Sequence, residues 1–480
     1  MPRKASLLWL AVSSGLLAGC SMMPTYQRPA APVVSQFPGE FLGASSGAAT
    51  PAADMEWQNF FTDPKLTQLI SAALQNNRDL RIAVLTIEQA RAQFQIRRAD
   101  QFPTLNAALA GSRQSADSAA SGSGISSLYS AGLAVTSYEI DFFGRVASLK
   151  EAALAQYLAT VEGRKTVQIS LVALVANTYL ALLGDDELLA ITQQTLSTRQ
   201  ESLKLAKLRF DNGVTSELDL RLAESLLESA NVSLAQQMRQ RALDENTLTL
   251  LVGQSLVGAL AVTSGPALNA ATLQDVPAGL PSDLLVRRPD IRQAEQQLIA
   301  ANANIGAARA AFFPRIALTA SAGSASPRLA GLFSSGTWGW TLTPQLLMPI
   351  FDAGRNRAGL ASSKAAEGIA VAGYEKAIQT AFKEVSDALA GRATYAEQLR
   401  AAQAQASAEA VRYKLADLRY QNGVASQLDQ LDAQRSLFAA RQAVVQTRLA
   451  QLQSQVTLYK VLGGGWKDEA VAASSLFSRP

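Results

Sequence analysis

The 480-residue chain contains no histidine and only one cysteine, Cys20. Without histidine, the sequence lacks the usual general base of enzymes and the commonest metal ligand of proteins. A lone cysteine also excludes an intramolecular disulfide. The sequence shows no nucleophile–base arrangement and no metal-ligand spacing. An enzyme is therefore the least expected class of protein, and no metal or other cofactor is predicted.

Aromatic and charged residues are sparse as well, at 6% and 17% of the chain, whereas 48% of the residues are hydrophobic. The apolar residues are mostly alanine and leucine. Together with the interspersed glutamine and arginine, this composition is typical of long helices in coiled coils. The formal charge is only +4, and no basic block is suited to binding phosphates. Nucleic acid is therefore not an expected partner.

The N-terminus carries a short apolar run at 7–17, which follows two basic residues and precedes the sequence LAGC at Cys20. A bilayer span needs roughly 20 apolar residues, so about eleven indicate a secretory signal instead. We place a signal peptide at 1–19 and an extended tether rich in Pro, Ala, Ser and Gly at 20–60. The alternative is an ordinary signal peptide with an incidental cysteine.

One stretch of the chain occurs twice. Residues 205–219 read LAKLRFDNGVTSELD and residues 415–429 read LADLRYQNGVASQLD, and ten of the fifteen residues recur 210 positions later. The same offset pairs Gly144 with Gly354 outside the stretch. The chain is therefore a duplicated unit of roughly 200 residues. We divide it into a first repeat, an equatorial linker, a second repeat and an equatorial tail, at 61–253, 254–281, 282–463 and 464–480.

Each repeat contains two segments in which apolar residues alternate with small or polar ones, the pattern of β-strands. The predicted strands lie at about 103–113, 128–141, 314–323 and 337–347. Each has about ten residues, the length that a tilted membrane strand needs. Aromatic residues at the segment ends are typical of a membrane girdle; the members are Phe142, Phe143, Phe312, Phe313, Trp338 and Trp340.

The alternative for these strands is a pair of soluble hairpins packed on the helices. Four strands cannot close a barrel, and an open sheet edge cannot lie in lipid. Strands that cross the membrane would therefore have to be pooled from several identical chains.

Proline-free helical stretches follow the strands, at about 144–210 and 354–420. Each would be on the order of 100 Å long if continuous, at ~1.5 Å per residue. The tips at 210–216 and 420–426 contain Asn-Gly, which tolerates the left-handed conformation in which helices end. Beyond the second tip, apolar residues recur every seventh position, as in a coiled-coil seam.

The LAGC sequence, the duplicated order and the tip motif together resemble the TolC family of outer-membrane efflux ducts, and most closely its OprM-type lipoprotein branch. The most specific segments are RYQNGVASQLDQLDAQR (419–435), LYKVLGGGW (458–466), PIFDAGR (349–355) and FFPRIALTASAG (312–323). The resemblance implies a homotrimer with a shared twelve-stranded barrel on a periplasmic α-helical barrel. It also implies cleavage before Cys20, a thioether diacylglycerol and an N-acyl chain on that residue, and location in the outer membrane.

By the same resemblance, the duct would pass drugs and small amphipathic solutes from an inner-membrane transporter of the resistance-nodulation-division (RND) class, through a periplasmic adaptor, to the outside. Two alternatives are a TolC-like duct for type I protein secretion and one for metal-ion efflux. A third is a coiled-coil envelope lipoprotein that forms no pore.

The resemblance implies a gate at Asp429 and Asp432, which lie on one helix face because they are three residues apart. Rings of such carboxylates around a trimer axis would attract cations at a constriction. For Asp429, the alternative is stabilisation of the helix dipole in the first turn. Asp432 lies deeper in the helix, where the dipole explanation fades.

A closed-state latch is implied between Tyr420 and Asp219, with Arg209 and Arg419 nearby. The two arginines have the alternative of pairing with local carboxylates on a solvated face. Ala425 stands where TolC carries a basic latch residue, so a weaker or differently built lock is expected here.

The two tips are the predicted docking points for the adaptor, at Gly213, Val214, Gly423 and Val424. The alternative is that Asn-Gly only forms the turn.

Overall fold

A computed structural model describes residues 21–34, 51–116, 124–258, 268–276, 284 and 287–466. The helices are α1 (Trp57–Phe60), α2 (Pro64–Asn76), α3 (Arg78–Ala99), α4 (Arg145–Asp211), α5 (Glu217–Val252), α6 (Pro289–Ala310), α7 (Arg355–Gln421) and α8 (Gln427–Val461). The strands are β1 (Leu105–Ala116), β2 (Gly124–Ile140), β3 (Arg315–Ser326) and β4 (Trp338–Leu347).

The chain forms two compact units, and the long helices α4 and α7 contribute to both. The sheet unit consists of the described residues up to Ala30 and those of Thr86–Val161 and Gln293–Glu375. The hairpin unit consists of the described residues of Ala31–Leu85, Glu162–Arg292 and Lys376–Pro480.

The four strands form one antiparallel sheet in the order β1-β2-β3-β4, as the alternating pattern predicts. Within the described residues, β1 and β4 are the two edges of this sheet. All ten residues of β4 are exposed in the single chain. Each edge presents a row of backbone groups that can pair with a further strand.

The sheet differs from the sequence prediction in two places. The first hairpin continues to the pair Ala116↔Gly124, because its Ser- and Gly-rich residues extend the ladder without any apolar alternation. The register between β2 and β3 shifts between Val135 and Tyr138. There Ser137 has a φ of 53°, and its N–H donates to Thr319 Oγ1 at 3.3 Å. Such a bulge leaves no mark in the apolar pattern.

Helices α4 and α7 are each 67 residues long and uninterrupted. An apolar stretch of α4 is long enough to cross a membrane, but 67% of it is buried inside the protein. Along α8, Leu431, Val445, Leu452 and Tyr459 are buried, which confirms the predicted seam. The apolar character of these helices therefore serves packing between helices.

The core of the hairpin unit joins the end of α8 to the short helix α1. The ring of Tyr459 stacks on Phe60 at 4.1 Å between centroids, and its hydroxyl donates to the carbonyl of Met55 at 2.8 Å. Shortly after Phe60 in sequence, Asp63 Oδ2 accepts a hydrogen bond from the hydroxyl of the buried Tyr179 at 2.7 Å. Each buried hydroxyl thus has an acceptor, as the burial of a polar group requires.

Candidate functional site

The two hairpin tips have the same backbone geometry. Gly213 and Gly423 have φ angles of 69° and 72°, in the left-handed region that favours glycine. Each glycine is followed by a valine whose N–H donates to a backbone carbonyl, that of Arg209 in the first tip and that of Arg419 in the second, at 2.9 Å in both. The side chains of Val214 and Val424 are 72% and 67% exposed. Each tip therefore presents an apolar side chain to its surroundings.

Both helices that leave the tips begin with a capping box. Ser216 accepts a hydrogen bond from the N–H of Asp219, and Asp219 Oδ2 accepts from the N–H of Ser216. Ser426 and Asp429 repeat this arrangement. Hydrogen bonds from Ser216 and Thr215 lower the pKa of Asp219. Asp429 thus stabilises the start of its helix, in addition to any part in the gate.

Asp432 lies between two arginines. Its Oδ1 is 2.6 Å from Nη2 of Arg435, and its Oδ2 is 3.4 Å from Nη1 of Arg412. Arg412 also pairs with Glu409 at 2.7 Å. The predicted gate residue is therefore part of a row of alternating charges in the single chain. The sequence motif did not reveal Arg412, which lies 20 residues from Asp432 on the opposite side of the tip.

The residues of the predicted latch have other partners in this chain. Among the described contacts, Asp219 accepts hydrogen bonds from Thr215 and Ser216 and none from Tyr420. The buried ring of Tyr420 lies under the guanidinium of Arg209, 4.6 Å from the ring centroid. Arg419 is exposed. The structure thus brings Tyr420 and Arg209 together but leaves Asp219 in its cap.

Asp417 is a further residue of the second tip that the sequence did not single out. It accepts hydrogen bonds from Gln421 on its own helix and from Gln430 on the next one. This carboxylate joins α7 to α8 directly behind the turn. A comparison of the two repeats could have revealed this pair. At the positions equivalent to Asp417 and Gln430, the first repeat has Lys207 and Leu220.

Aromatic residues occupy both ends of the sheet. Phe143 stacks on Phe313 at 4.7 Å between centroids, next to the helices, with Phe142 and Phe312 partly exposed beside them. Trp338 and Trp340 are each 67% exposed at the far end of the sheet. The role of these six residues as an aromatic girdle at the membrane surfaces stays a prediction.

Cys20, the predicted lipidation site, lies outside the described residues, which begin at Ser21. Among the described residues, no group of three or more His, Cys, Asp or Glu side chains is placed to hold a metal ion.

An open-edged antiparallel sheet with aromatic residues at both ends, in a chain that also forms two long helical hairpins, is typical of a duct protein of the bacterial outer membrane. The chain matches the protein family described as "Outer membrane efflux protein" over residues 69–254 and 280–464. These two stretches correspond to the two repeats. The chain belongs to this outer membrane efflux protein family.

Individual relatives agree with this assignment. The toluene efflux pump outer membrane protein TtgC of Pseudomonas putida is 50% identical over 473 residues, which cover 98% of this chain and 97% of TtgC. A crystal structure of a membrane protein from Pseudomonas aeruginosa is 44% identical, with a TM-score of 0.87 and coverage of 94% and 100%. The open state of the MtrE channel of Neisseria gonorrhoeae is 40% identical, with a TM-score of 0.84 and coverage of 93% and 99%. The predicted TolC-like fold and outer-membrane efflux role are thus confirmed.

Proposed function

We propose that this chain is the outer-membrane exit duct of a tripartite efflux system and works as a homotrimer. The observation that carries the proposal is the four-stranded sheet with two open edges and an entirely exposed β4. An open edge is not tolerated in lipid, because its backbone groups would be unsatisfied. Three copies close the sheet into a barrel of twelve strands.

The solutes are organic compounds that an inner-membrane RND transporter selects and a periplasmic adaptor passes on. The similarity to a toluene efflux protein over nearly the whole chain supports this class of cargo. The duct itself forms and breaks no bonds. Its chemistry is docking at the tips, charge selection at a constriction and gating.

The tips are the surface that meets the adaptor. Val214 and Val424 extend from them. Among the described residues, apart from the adjacent ones, no heavy atom lies within 4 Å of a Cβ added at Gly213 or Gly423. An adaptor helix can therefore approach each glycine closely and cover the valine. Burial of such a side chain contributes about 1.5–3 kcal/mol.

Asp432 is the central residue of the charge filter, and Asp429 contributes to it from one turn nearer the tip. In a trimer, each would recur three times around the axis. Arg412 and Arg435 hold the Asp432 carboxylate in place and set the net charge of the ring. The lock that closes the tip uses Tyr420 and Arg209, with Asp219 and Arg419 as further candidates.

Acylation of Cys20 anchors the mature N-terminus in the outer membrane. Two or more acyl chains are needed for stable anchoring, and a diacylglycerol plus an N-acyl chain supplies three.

The proposal is tested in a strain that lacks its own exit duct but retains an RND transporter and adaptor. Expression of this chain should restore resistance to toluene and to amphipathic drugs. The purified protein should migrate as a trimer and form single channels in planar bilayers. A monomer without conductance would refute the duct. Conductance without resistance, but with secretion of a type I substrate or with resistance to metal ions, would favour those alternatives.

A further inference from the structure

The first described residues of the chain lie against helix α6 in the sheet unit. Arg28 makes a bidentate ion pair with Glu295, with Nε at 2.6 Å from Oε1 and Nη2 at 2.8 Å from Oε2. The hydroxyl of Tyr26 donates to Glu295 Oε1 at 3.1 Å. Glu295 itself is only 7% exposed. A buried carboxylate with three charge-assisted or polar hydrogen bonds is a strong attachment point.

Two further residues of the same helix face receive the segment. Asn302, which is 5% exposed, donates from Nδ2 to the carbonyl of Pro24 at 2.8 Å. One turn later, a Cβ added at Gly306 would lie 2.5 Å from Ser148 Oγ of α4 and 2.7 Å from the Cα of Met23. Real Cβ atoms do not approach a backbone so closely, so the segment fits here only because residue 306 is glycine.

The segment then reaches the junction between β2 and α4. A Cβ added at Gly144 would lie 3.2 Å from the Cα of Ser21. Gly144 directly precedes Arg145, the first residue of α4. Ser21 thus lies against Gly144, at the junction between strand β2 and helix α4.

The internal duplication shows that this arrangement is specific to one repeat. Helix α3 is the counterpart of α6, and the matching sequences RADQFP and RAAFFP set the offset at 211. The positions equivalent to Glu295, Asn302 and Gly306 hold other residues, namely Val84, Arg91 and Gln95. The carboxylate and the amide therefore belong to one copy of this helix, whereas Gly306 also leaves room for Ser148 of α4.

We propose that Glu295, Asn302 and Gly306 form a docking socket for residues 21–28, and that this socket fixes the acylated N-terminus at the sheet end of α4. The inference rests on the proposed acylation of Cys20, which directly precedes Ser21. Because Ser21 is held in place, a single peptide unit separates the lipid from fixed protein.

The physical consequence concerns the position of the anchor. A flexible tether of n residues has an end-to-end distance of roughly 5–6 Å × √n, so about 40 free residues would let a lipid wander tens of ångströms from the sheet. With the socket occupied, the acyl chains enter the bilayer beside the sheet. The lipid then sets the depth of the sheet in the membrane. It does more than keep the protein at the membrane surface.

Burial and the neighbouring Glu295 carboxylate raise the pKa of Tyr26 to about 12. The hydroxyl therefore remains protonated and able to donate throughout the physiological range.

The test compares Glu295→Gln and Gly306→Leu with Gln95→Leu, which introduces leucine at the equivalent position of the first repeat. A nitroxide attached at Thr25→Cys reports the segment by electron paramagnetic resonance, and the chain has no other free thiol once Cys20 is acylated or replaced by alanine. We expect an immobile label in the parent and in Gln95→Leu. In Glu295→Gln and Gly306→Leu the label should become mobile. An equally immobile label in all variants would overturn the socket.

The coupling to the lipid is tested by combining each socket variant with Cys20→Ala and measuring the yield of outer-membrane trimers. If the socket acts by placing the lipid, the socket variants and Cys20→Ala should show the same fold-loss of trimers, and the combination should be no worse. Multiplicative losses in the combined variants would overturn the placing role. Mass spectrometry of the N-terminal peptide tests acylation separately. An unmodified Cys20 would refute the acylation, whereas the spin-label result would still decide whether the socket exists.

Discussion

The guanidinium of Arg199 lies over the ring of Phe438, with its central carbon 5.6 Å from the ring centroid. This contact joins α4 of the first hairpin to α8 of the second. Arg199 is 3% exposed, and its Nη1 donates to the carbonyl of Leu226. Its Nε has no hydrogen-bond partner in the described part of the chain. The seam between the hairpins thus contains a desolvated charge, and this burial lowers the pKa of Arg199.

We expect Arg199→Met to stabilise the protein. Methionine fills a similar volume and has no charge to desolvate, and replacing buried charges by apolar residues is often stabilising by about 1–4 kcal/mol. The measurement is the thermal unfolding of the purified protein in detergent. Phe438→Ala serves as the counterpart, because it leaves a cavity and removes the cation–π contact; it should lower the melting temperature. A lower melting temperature for Arg199→Met would show that the contact with Phe438 outweighs desolvation.

The second prediction concerns pH and Asp185 on α4. Burial and a hydrogen bond with Asp244 on α5 raise the pKa of Asp185 from its ordinary value of 3.8 to about 7. Because the folded state retains a proton that the unfolded chain releases, this contribution to stability is complete below pH 3.8. It is lost as the pH rises through about 7. The free energy of unfolding should therefore fall between these pH values, and Asp185→Asn should remove this part of the slope.

Asp186→Asn is the matched control, because Asp186 lies next in sequence and pairs with Arg241 at 2.6 Å. The Asp186 carboxylate also helps to raise the pKa of Asp185, so Asp186→Asn should reduce the slope only in part, whereas Asp185→Asn should remove it. Denaturant titrations at several pH values measure both variants. An unchanged slope in Asp185→Asn would place the pH dependence elsewhere.

The sequence predicted those features that recur with a period or at a fixed offset. Alternation located four strands, and the Asn-Gly pair located the tips with their Ser–Asp caps. The duplication extends to individual hydrogen bonds that a comparison of the two sequences does not reveal. Asn77 donates to the carbonyl of Leu251, and Arg288 donates to the carbonyl of Val461, both at 2.9 Å. The two acceptors are 210 positions apart, but the donors have different chemistry.

Features that depend on distant parts of the chain were not predictable. Arg412 reaches Asp432 only because the antiparallel helices bring it there, and no motif connects the two. The tether has no periodic pattern, so its attachment to Glu295 could not be read from residues 21–34. The predicted bond between Tyr420 and Asp219 is not among the described contacts of the single chain, where Thr215 and Ser216 donate only to Oδ2 of Asp219. The latch therefore stays a prediction.

The third prediction separates capping from gating at Asp429. Asp429→Ala and Asp219→Ala remove the same half of a capping box, so each should cost about 1 kcal/mol of stability. Asp429→Ala should also weaken the block by multivalent cations, whereas Asp219→Ala, which removes a candidate residue of the lock, should leave that block unchanged. An equal cation block in the two variants would leave Asp429 with the cap alone.

The fourth prediction concerns the charge of the Asp432 ring. Asp432→Asn leaves Arg412 and Arg435 without their shared carboxylate, so the ring gains one positive charge per chain. We expect the reversal potential in a salt gradient to shift towards anion selectivity. Arg435→Gln changes the charge in the other sense and should shift it towards cations. If neither variant changes the reversal potential, the narrowest charged ring lies elsewhere in the duct.

The last prediction concerns docking at the tips. Gly423→Leu introduces an apolar side chain at a φ of 72°, which costs roughly 1–2 kcal/mol of backbone strain. A Cβ at this position has no heavy atom of the described chain within 4 Å beyond its adjacent residues, so trimers should still assemble. The added side chain should hold off the adaptor helix and abolish resistance. Gly213→Leu tests the first tip in the same way.

Gly258→Leu is the control, because Gly258 lies away from the tips in sequence. It also has a positive φ, of 60°, and an added Cβ would have no heavy atom of the described residues within 4 Å. Resistance and trimer yield are measured for all three variants. If the tips dock the adaptor, only the two tip variants should lose resistance. Normal resistance in Gly423→Leu would exclude the second tip as a docking point.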